Sequence, residues 1–228
     1  MKNKFSNQFI VFAIIILVLD MIAAAGILYG KSSVKESAVS GECYENIIAI
    51  TFDDGPGYKT TAKLLDGLAE RNVKATFFLI GNKIEQNTDI VRRMHDEGHL
   101  IGNHTYSHVD LASVGNNSAL QEIQKTNELI KNITGEDAKY IRPPFGKYNN
   151  SLIYDVNMTP VLWSIDPDDW KTTDVSHIVD LVVNNAGCGD IILLHDIYDS
   201  SVEAALEIID RLQDKGFVFV TVDQLLLD

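Results

Sequence analysis

Ile47-Ile48-Ala49-Ile50-Thr51-Phe52-Asp53-Asp54-Gly55-Pro56 decides how the rest of the chain is read. Its first half is an apolar run, as a buried strand requires. Its second half sets two carboxylates side by side and then ends the strand with Gly-Pro, a pair that forces a turn. Neighbouring side chains on a strand point to opposite faces, but at a strand end the chain can twist both into one cleft. Two carboxylates crowded there repel unless a positive charge lies between them or one keeps a proton. The stretch therefore asks what neutralises Asp53 and Asp54.

The segments that follow alternate. Helical spacing of apolar residues marks 60–70, 83–97, 118–133, 175–185 and 202–215. Short apolar runs mark strands at 47–50, 75–80, 100–103, 140–142, 161–165, 191–194 and 217–221. Strands that are apolar on both faces and separated by helices imply a parallel sheet. Seven such units in one domain predict an α/β fold, a distorted seven-stranded (β/α) barrel. In such a barrel the chemistry sits at the C-terminal ends of the strands. Asp53 and Asp54, His104 and His108, Arg142, Asp166 and Asp169 with Trp170, and His195 with Asp196 all fall there.

The chain has 228 residues, 46% of them hydrophobic, enough for one sizeable domain. Its 32 acidic residues against 19 basic ones give a formal net charge of -13. That balance excludes nucleic acid and anionic polymers held by charge as partners. Residues 1–30 open with Lys2 and Lys4 and continue as a long apolar run interrupted by Asp20. Its length predicts one N-terminal transmembrane helix with the N-terminus inside, or a signal peptide cleaved near Ala23-Ala24-Ala25. Residues 31–42 read as a polar tether and 43–228 as the folded domain. The expected location is outside the cell, anchored on the outer face of the bacterial cytoplasmic membrane or secreted if the leader is cleaved. The two cysteines, Cys43 and Cys188, lack the spacing of a metal site. Export leaves a disulfide between them open.

His104-Thr105-Tyr106-Ser107-His108 answers the opening question. On a helical turn, residues four apart share a face, so both imidazoles can chelate one ion. Asp53 or Asp54 can add a carboxylate. Two histidines, one carboxylate and an open position suit catalytic zinc, and the same set also serves non-haem iron. His95, His99 and His177 lack such spacing and read as ordinary surface or core residues. Asn103-His104-Thr105 is formally a glycosylation sequon, which the site reading treats as coincidence.

Thr51–Pro56, His104–His108, Arg142-Pro143-Pro144-Phe145-Gly146, Asp166-Pro167-Asp168-Asp169-Trp170 and Leu193-Leu194-His195-Asp196 together resemble the five ordered motifs of the polysaccharide deacetylases, the carbohydrate esterase family 4 or NodB-homology domain. The resemblance covers about residues 45–228. It implies that Asp54, His104 and His108 hold one divalent metal ion, zinc by default, with cobalt, nickel or iron able to fill the same ligands. It implies that Asp53 is the general base and His195 the general acid. Arg142 would orient Asp53, and Asp169 would orient His195. A backbone N–H near Phe145 would hold the oxyanion, and Trp170 and Leu193 would wall the acetyl pocket. Phe145 departs from the family's common tyrosine, but only its backbone is required.

The function so implied is hydrolytic de-N-acetylation of an extracellular polysaccharide, with peptidoglycan the expected glycan partner and a monomer the expected state. Chitin oligomers, another exopolysaccharide and O-acetyl esters of xylan are the alternative substrates. An iron-dependent oxygenase would not need Asp53 beside its ligand, nor a second acid–base pair. A catalytically inactive glycan-binding module would lack at least one of these residues.

Overall fold

The computed structural model describes residues 46–149, 152 and 156–227. The expected N-terminal membrane helix and tether lie outside these residues, as does Cys43; Cys188 is not a free thiol. Among the described residues no helix is long and apolar enough to cross a membrane.

The described chain runs β1 (Ile47–Asp53), α1 (Thr60–Glu70), β2 (Thr76–Leu79), α2 (Gly81–Ile84), α3 (Thr88–Asp96), β3 (Leu100–Asn103), α4 (Asn116–Thr134), β4 (Tyr140–Ile141), β5 (Thr159–Pro160), α5 (Val175–Asn185), β6 (Ile191–His195), α6 (Asp199–Asp214), β7 (Val218–Phe219) and α7 (Val222–Leu225). Short 3-10 turns cover Pro144–Gly146 and Asp169–Lys171. The seven strands form one parallel sheet in the order β5-β4-β3-β2-β1-β6, with β7 also paired to β1. The sheet curls into a half-barrel. Beyond β5 the chain crosses to the far edge, where Ile165 bridges Ile192 of β6.

Alternation along the strands sorts the core into two layers. Ile48, Ile50 and Phe52 of β1, Phe77 of β2, and Ile192 and Leu194 of β6 join the large cluster that the helices cover. Ala49, Phe78, Val161 and Val222 form a separate small cluster. Gly102 of β3 is required beside Phe78, because a Cβ there would lie 2.5 Å from its ring. Asp53 is the last residue of β1 on the Ala49–Thr51 face, and the parallel register pairs it with His195 of β6 and Phe78 of β2.

Three expectations need correcting. The run 161–165 is not a strand of its own. The carbonyls of Val161 and Leu162 accept hydrogen bonds from Arg142, at 3.2 and 3.1 Å, which takes them from the ladder. The helix expected over 83–97 is two helices, α2 and α3. Asn87 breaks it, donating its side-chain amide to the carbonyls of Lys83 (3.0 Å) and Pro56 (3.3 Å). The final strand is only two residues long and runs into α7, closed by a capping box between Thr221 and Gln224.

Candidate active site

Most of the residues expected to carry chemistry lie at or just beyond the C-terminal ends of strands, and the curl of the sheet brings them together; Asp169 and Trp170 instead follow the irregular 161–165 run, and Leu193 lies within β6. Asp53, Asp54, His104, His108, Phe145, Trp170, Leu193 and His195 line one cleft of ≈ 330 Å³. Arg142 and Asp169 lie buried behind it.

Asp54 leaves β1 with φ 68°, a left-handed backbone that turns its carboxylate back over the sheet. Its Oδ1 lies 3.4 Å from His104 Nε2 and 3.3 Å from His108 Nε2. The loop that carries the two histidines is not the helical turn expected from their spacing. Thr105 and His108 have φ of 63° and 59°, so the chain coils tightly and the rings meet at 5.0 Å between centroids. Asn103, just before this loop, is fully buried. Its amide donates to the Ile123 carbonyl and to Asn127, and its oxygen accepts the Thr105 N–H. It is no acceptor for a glycan.

The cluster has the chemistry of a cation site. The Arg142 carbonyl lies 2.6 Å from His104 Nδ1, and a carbonyl can only accept, so the proton sits on Nδ1. That turns the lone pair of Nε2 toward the Asp54 carboxylate. Lone pair facing carboxylate is repulsive unless something positive lies between them. Asp54 Oδ1 is buried and has no hydrogen-bond partner. One ligand atom from each of Asp54, His104 and His108 lies within 4.8 Å of the others. Burial pushes the Asp54 carboxyl up, but the close approach of the His104 imidazole, with His108 and His195 beyond it, outweighs that and holds the carboxyl at about 2. Burial pushes the His108 imidazole down, toward the neutral form that ligates metals. These residues fit one divalent ion.

On one side of the cluster, Arg142 Nη1 donates to Asp53 Oδ1 at 2.8 Å and to Thr51 Oγ1 at 2.7 Å. The guanidinium is completely buried, 4.3 Å over the Phe78 ring. Asp53 Oδ2 remains directed toward the cluster, 3.8 Å from His104 Nε2. On the other side, Asp169 holds His195 twice. Its Oδ1 lies 2.7 Å from Nδ1, and its Oδ2 accepts the His195 backbone N–H at 2.9 Å. Burial lowers the affinity of this imidazole for a proton. Asp169, with Asp53 and Asp54 beyond it, more than reverses that and raises His195 to about 9. Asp166 instead accepts the backbone N–H of Asp168 at 2.8 Å.

Phe145 sits in the 3-10 turn with φ 60° and ψ 12°. Its N–H belongs to a first turn, where no intrahelical acceptor exists. Its ring packs edge-on against His108, centroids 4.9 Å apart, a contact that a backbone-only role does not include. Leu193 is buried in the cleft floor, while Trp170 is half exposed at its rim. Trp163 and Tyr198 also line the cleft and were not singled out from sequence. Tyr198 stands three residues beyond His195, and that spacing was the available signal. Trp163 was hidden inside a run that reads as core strand.

Asp196, which the sequence places beside His195 at the end of β6, was given no role there. It is fully buried, accepts a hydrogen bond from Thr61 on one oxygen and has no partner on the other. Burial raises its carboxyl to about 7.

A family model described as polysaccharide deacetylase matches residues 41–161. A peptidoglycan-N-acetylmuramic acid deacetylase, PdaC of Bacillus subtilis, is 42% identical over 181 residues, covering 79% of this chain and 39% of the relative. A peptidoglycan-N-acetylglucosamine deacetylase of Bacillus cereus is 42% identical over 192 residues, covering 81% of this chain and 70% of the relative. The solved structure of the Bacillus subtilis PdaC superposes with a TM-score of 0.79 at 42% identity, over 81% of this chain and 91% of that one. This chain thus spans well under half of the first relative's length and about two thirds of the second's.

Proposed function

Because this chain belongs to the polysaccharide deacetylase family, we propose that it removes acetyl groups from the amines of an N-acetylated polysaccharide, and that the polysaccharide is peptidoglycan. One observation carries the reading. Two charge-paired groups, Asp53 with Arg142 and His195 with Asp169, flank a single Asp54-His104-His108 cluster within one cleft. That is the layout of a hydrolysis needing a base on one side of the carbonyl and an acid on the other.

Asp54, His104 and His108 would hold the divalent ion, and zinc is the ion this ligand set suits. When bound, it lowers the pKa of water and polarises the amide carbonyl. Asp53, ionised and oriented by Arg142, takes the proton from the attacking water. The Phe145 N–H would steady the charge that develops on the carbonyl oxygen, a contribution of about 3 kcal/mol for such donors. His195, kept protonated by Asp169, gives its proton to the departing sugar amine. Leu193 and Trp170 enclose the acetyl methyl group.

Support for peptidoglycan comes from the relatives, whose names divide between its two sugars. The same proposal places the domain outside the cell, held at the outer face of the cytoplasmic membrane by residues 1–30 or secreted after cleavage. The apolar run behind Lys2 and Lys4 supports it. The test is acetate release from purified peptidoglycan and from N-acetylglucosamine oligomers, with and without a chelator. Release from peptidoglycan that stops on chelation and returns with zinc is expected. No release from any acetylated glycan would overturn the activity, and release only from the oligomers would overturn the substrate.

A further inference from the structure

We infer that Glu122 is a positioning residue for the metal site, acting through the loop that carries His104 and His108. The inference rests on the reading of the Asp54-His104-His108 cluster as a metal site.

That loop cannot hold its shape by regular hydrogen bonding. It is neither helix nor strand, and two of its residues are left-handed without being glycine, a conformation that costs energy unless its surroundings enforce it. A tight coil of this kind leaves consecutive backbone N–H groups pointing the same way. Those of Tyr106 and Ser107 both point at Glu122 Oε2, at 3.0 and 2.7 Å. The other oxygen, Oε1, accepts the Ser107 hydroxyl at 2.9 Å. One carboxylate therefore fixes the middle of the segment between the two ligands with three hydrogen bonds.

Glu122 belongs to α4, fifteen or sixteen residues further along the chain. The same helix ties down the start of the loop. Asn103, next to His104, donates to the Ile123 carbonyl at 2.9 Å and accepts the Thr105 N–H at 2.7 Å. The loop is thus fastened to one turn of one helix at two points. The Asn103 anchor lies in the core and serves the fold. The Glu122 anchor is nearer the surface and, together with the Gly81 and Asn82 N–H groups that donate to the Thr105 and Tyr106 carbonyls at 3.0 Å, sets the path from His104 to His108. Its use is to fix the distance and angle between two imidazoles. Partners of this kind around metal ligands are typically worth about 10–100-fold in affinity.

The experiment is a zinc titration of the full chain after chelator stripping, by calorimetry or dye competition. Metal-free unfolding temperatures are measured alongside. Glu122→Ala is expected to fold with a near-unchanged metal-free unfolding temperature and to bind zinc roughly 10-fold or more weakly. Glu122→Gln is expected to stay within a few-fold of wild type. Its amide oxygen can still accept both N–H groups, and its NH₂ can donate to the Ser107 hydroxyl. Zinc affinity unchanged in Glu122→Ala would overturn the inference while leaving the metal site intact. Glu122→Gln as weak as Glu122→Ala would also overturn it, because loss of charge would then explain the effect. If Glu122→Ala does not fold, Glu122→Met, which keeps the helix and the reach but not the acceptors, is read in the same way. Unfolding of both would make Glu122 a residue of the fold and overturn its assignment. A wild-type chain that binds no zinc would overturn the metal-site reading, and the inference with it.

Discussion

Asp53 and His195 stand opposite each other in the parallel register of β1 and β6, and each leans on a buried ion of opposite sign. Arg142 is behind the first and Asp169 behind the second. One pair of adjacent strands therefore presents a carboxylate and an imidazole to the same cleft, each with a buried partner of opposite charge behind it.

The Arg142 guanidinium is the only group that answers the Asp53 charge among the ion pairs of the described residues, apart from the weaker approach of His104. Removing it strands a buried carboxylate. Arg142→Ala should cost roughly 3–5 kcal/mol of unfolding free energy in urea. In the Asp53→Ala background the same substitution should cost clearly less, because no carboxylate is left to strand. Equal costs in the two backgrounds would contradict the pairing.

The raised imidazole of His195 makes stability depend on pH in a defined sense. Its contribution is complete below its ordinary value of 6.5 and is lost as pH climbs through about 9. Chelator-treated wild type should lose stability across that window, and Asp169→Asn should lose less of it. Turnover should fall roughly 10²-fold in Asp169→Asn, the lower range for general acid catalysis. The alkaline limb of its rate profile should move to lower pH. An unmoved limb would separate Asp169 from the acid.

Asp196 acts in the same sense over a lower pH range. A carboxyl raised by burial from 3.8 to about 7 stabilises the fold fully below pH 3.8, and that contribution is lost as pH rises through 7. Asp196→Asn removes the titration. At pH 8 it should be at least as stable as wild type in urea, and its advantage should shrink toward pH 4. A variant that is less stable at pH 8 and gains toward pH 4 would contradict this.

Gly55 is required by Asp196. A Cβ at Gly55 would lie 2.4 Å from both oxygens of that buried carboxyl, which cannot swing away. Gly55→Ala should cost about 1–3 kcal/mol, the usual penalty of overpacking, and should weaken metal binding by displacing Asp54. Adding Asp196→Ala should recover part of the stability. No recovery would place the clash elsewhere.

Much of this was legible in the sequence because the chemistry uses residue types that have few other reasons to follow a strand. Asp53 and His195 are of that kind, whereas the choice of Asp169 over Asp166 came from the family resemblance; the Asp166 side chain turns to the Asp168 N–H. What was not legible depends on distant hydrogen bonds. Histidines four apart suggest a helical turn, but left-handed Thr105 and His108 make the loop, and its hold on Glu122 spans fifteen residues. The apolar run 161–165 reads as a strand, yet its first two carbonyls serve Arg142 instead. For Asp196 the sequence showed only a place at a strand end beside His195. Only the packing of Gly55 and Thr61 around it reveals a buried carboxyl.

The most direct test separates the two adjacent aspartates from which the site is built. Zinc content and acetate release from peptidoglycan are measured on wild type, Asp53→Asn and Asp54→Asn. Asp53→Asn should keep its zinc and lose turnover, whereas Asp54→Asn should lose both. Loss of zinc from Asp53→Asn, with zinc retained by Asp54→Asn, would reverse the roles and contradict the account.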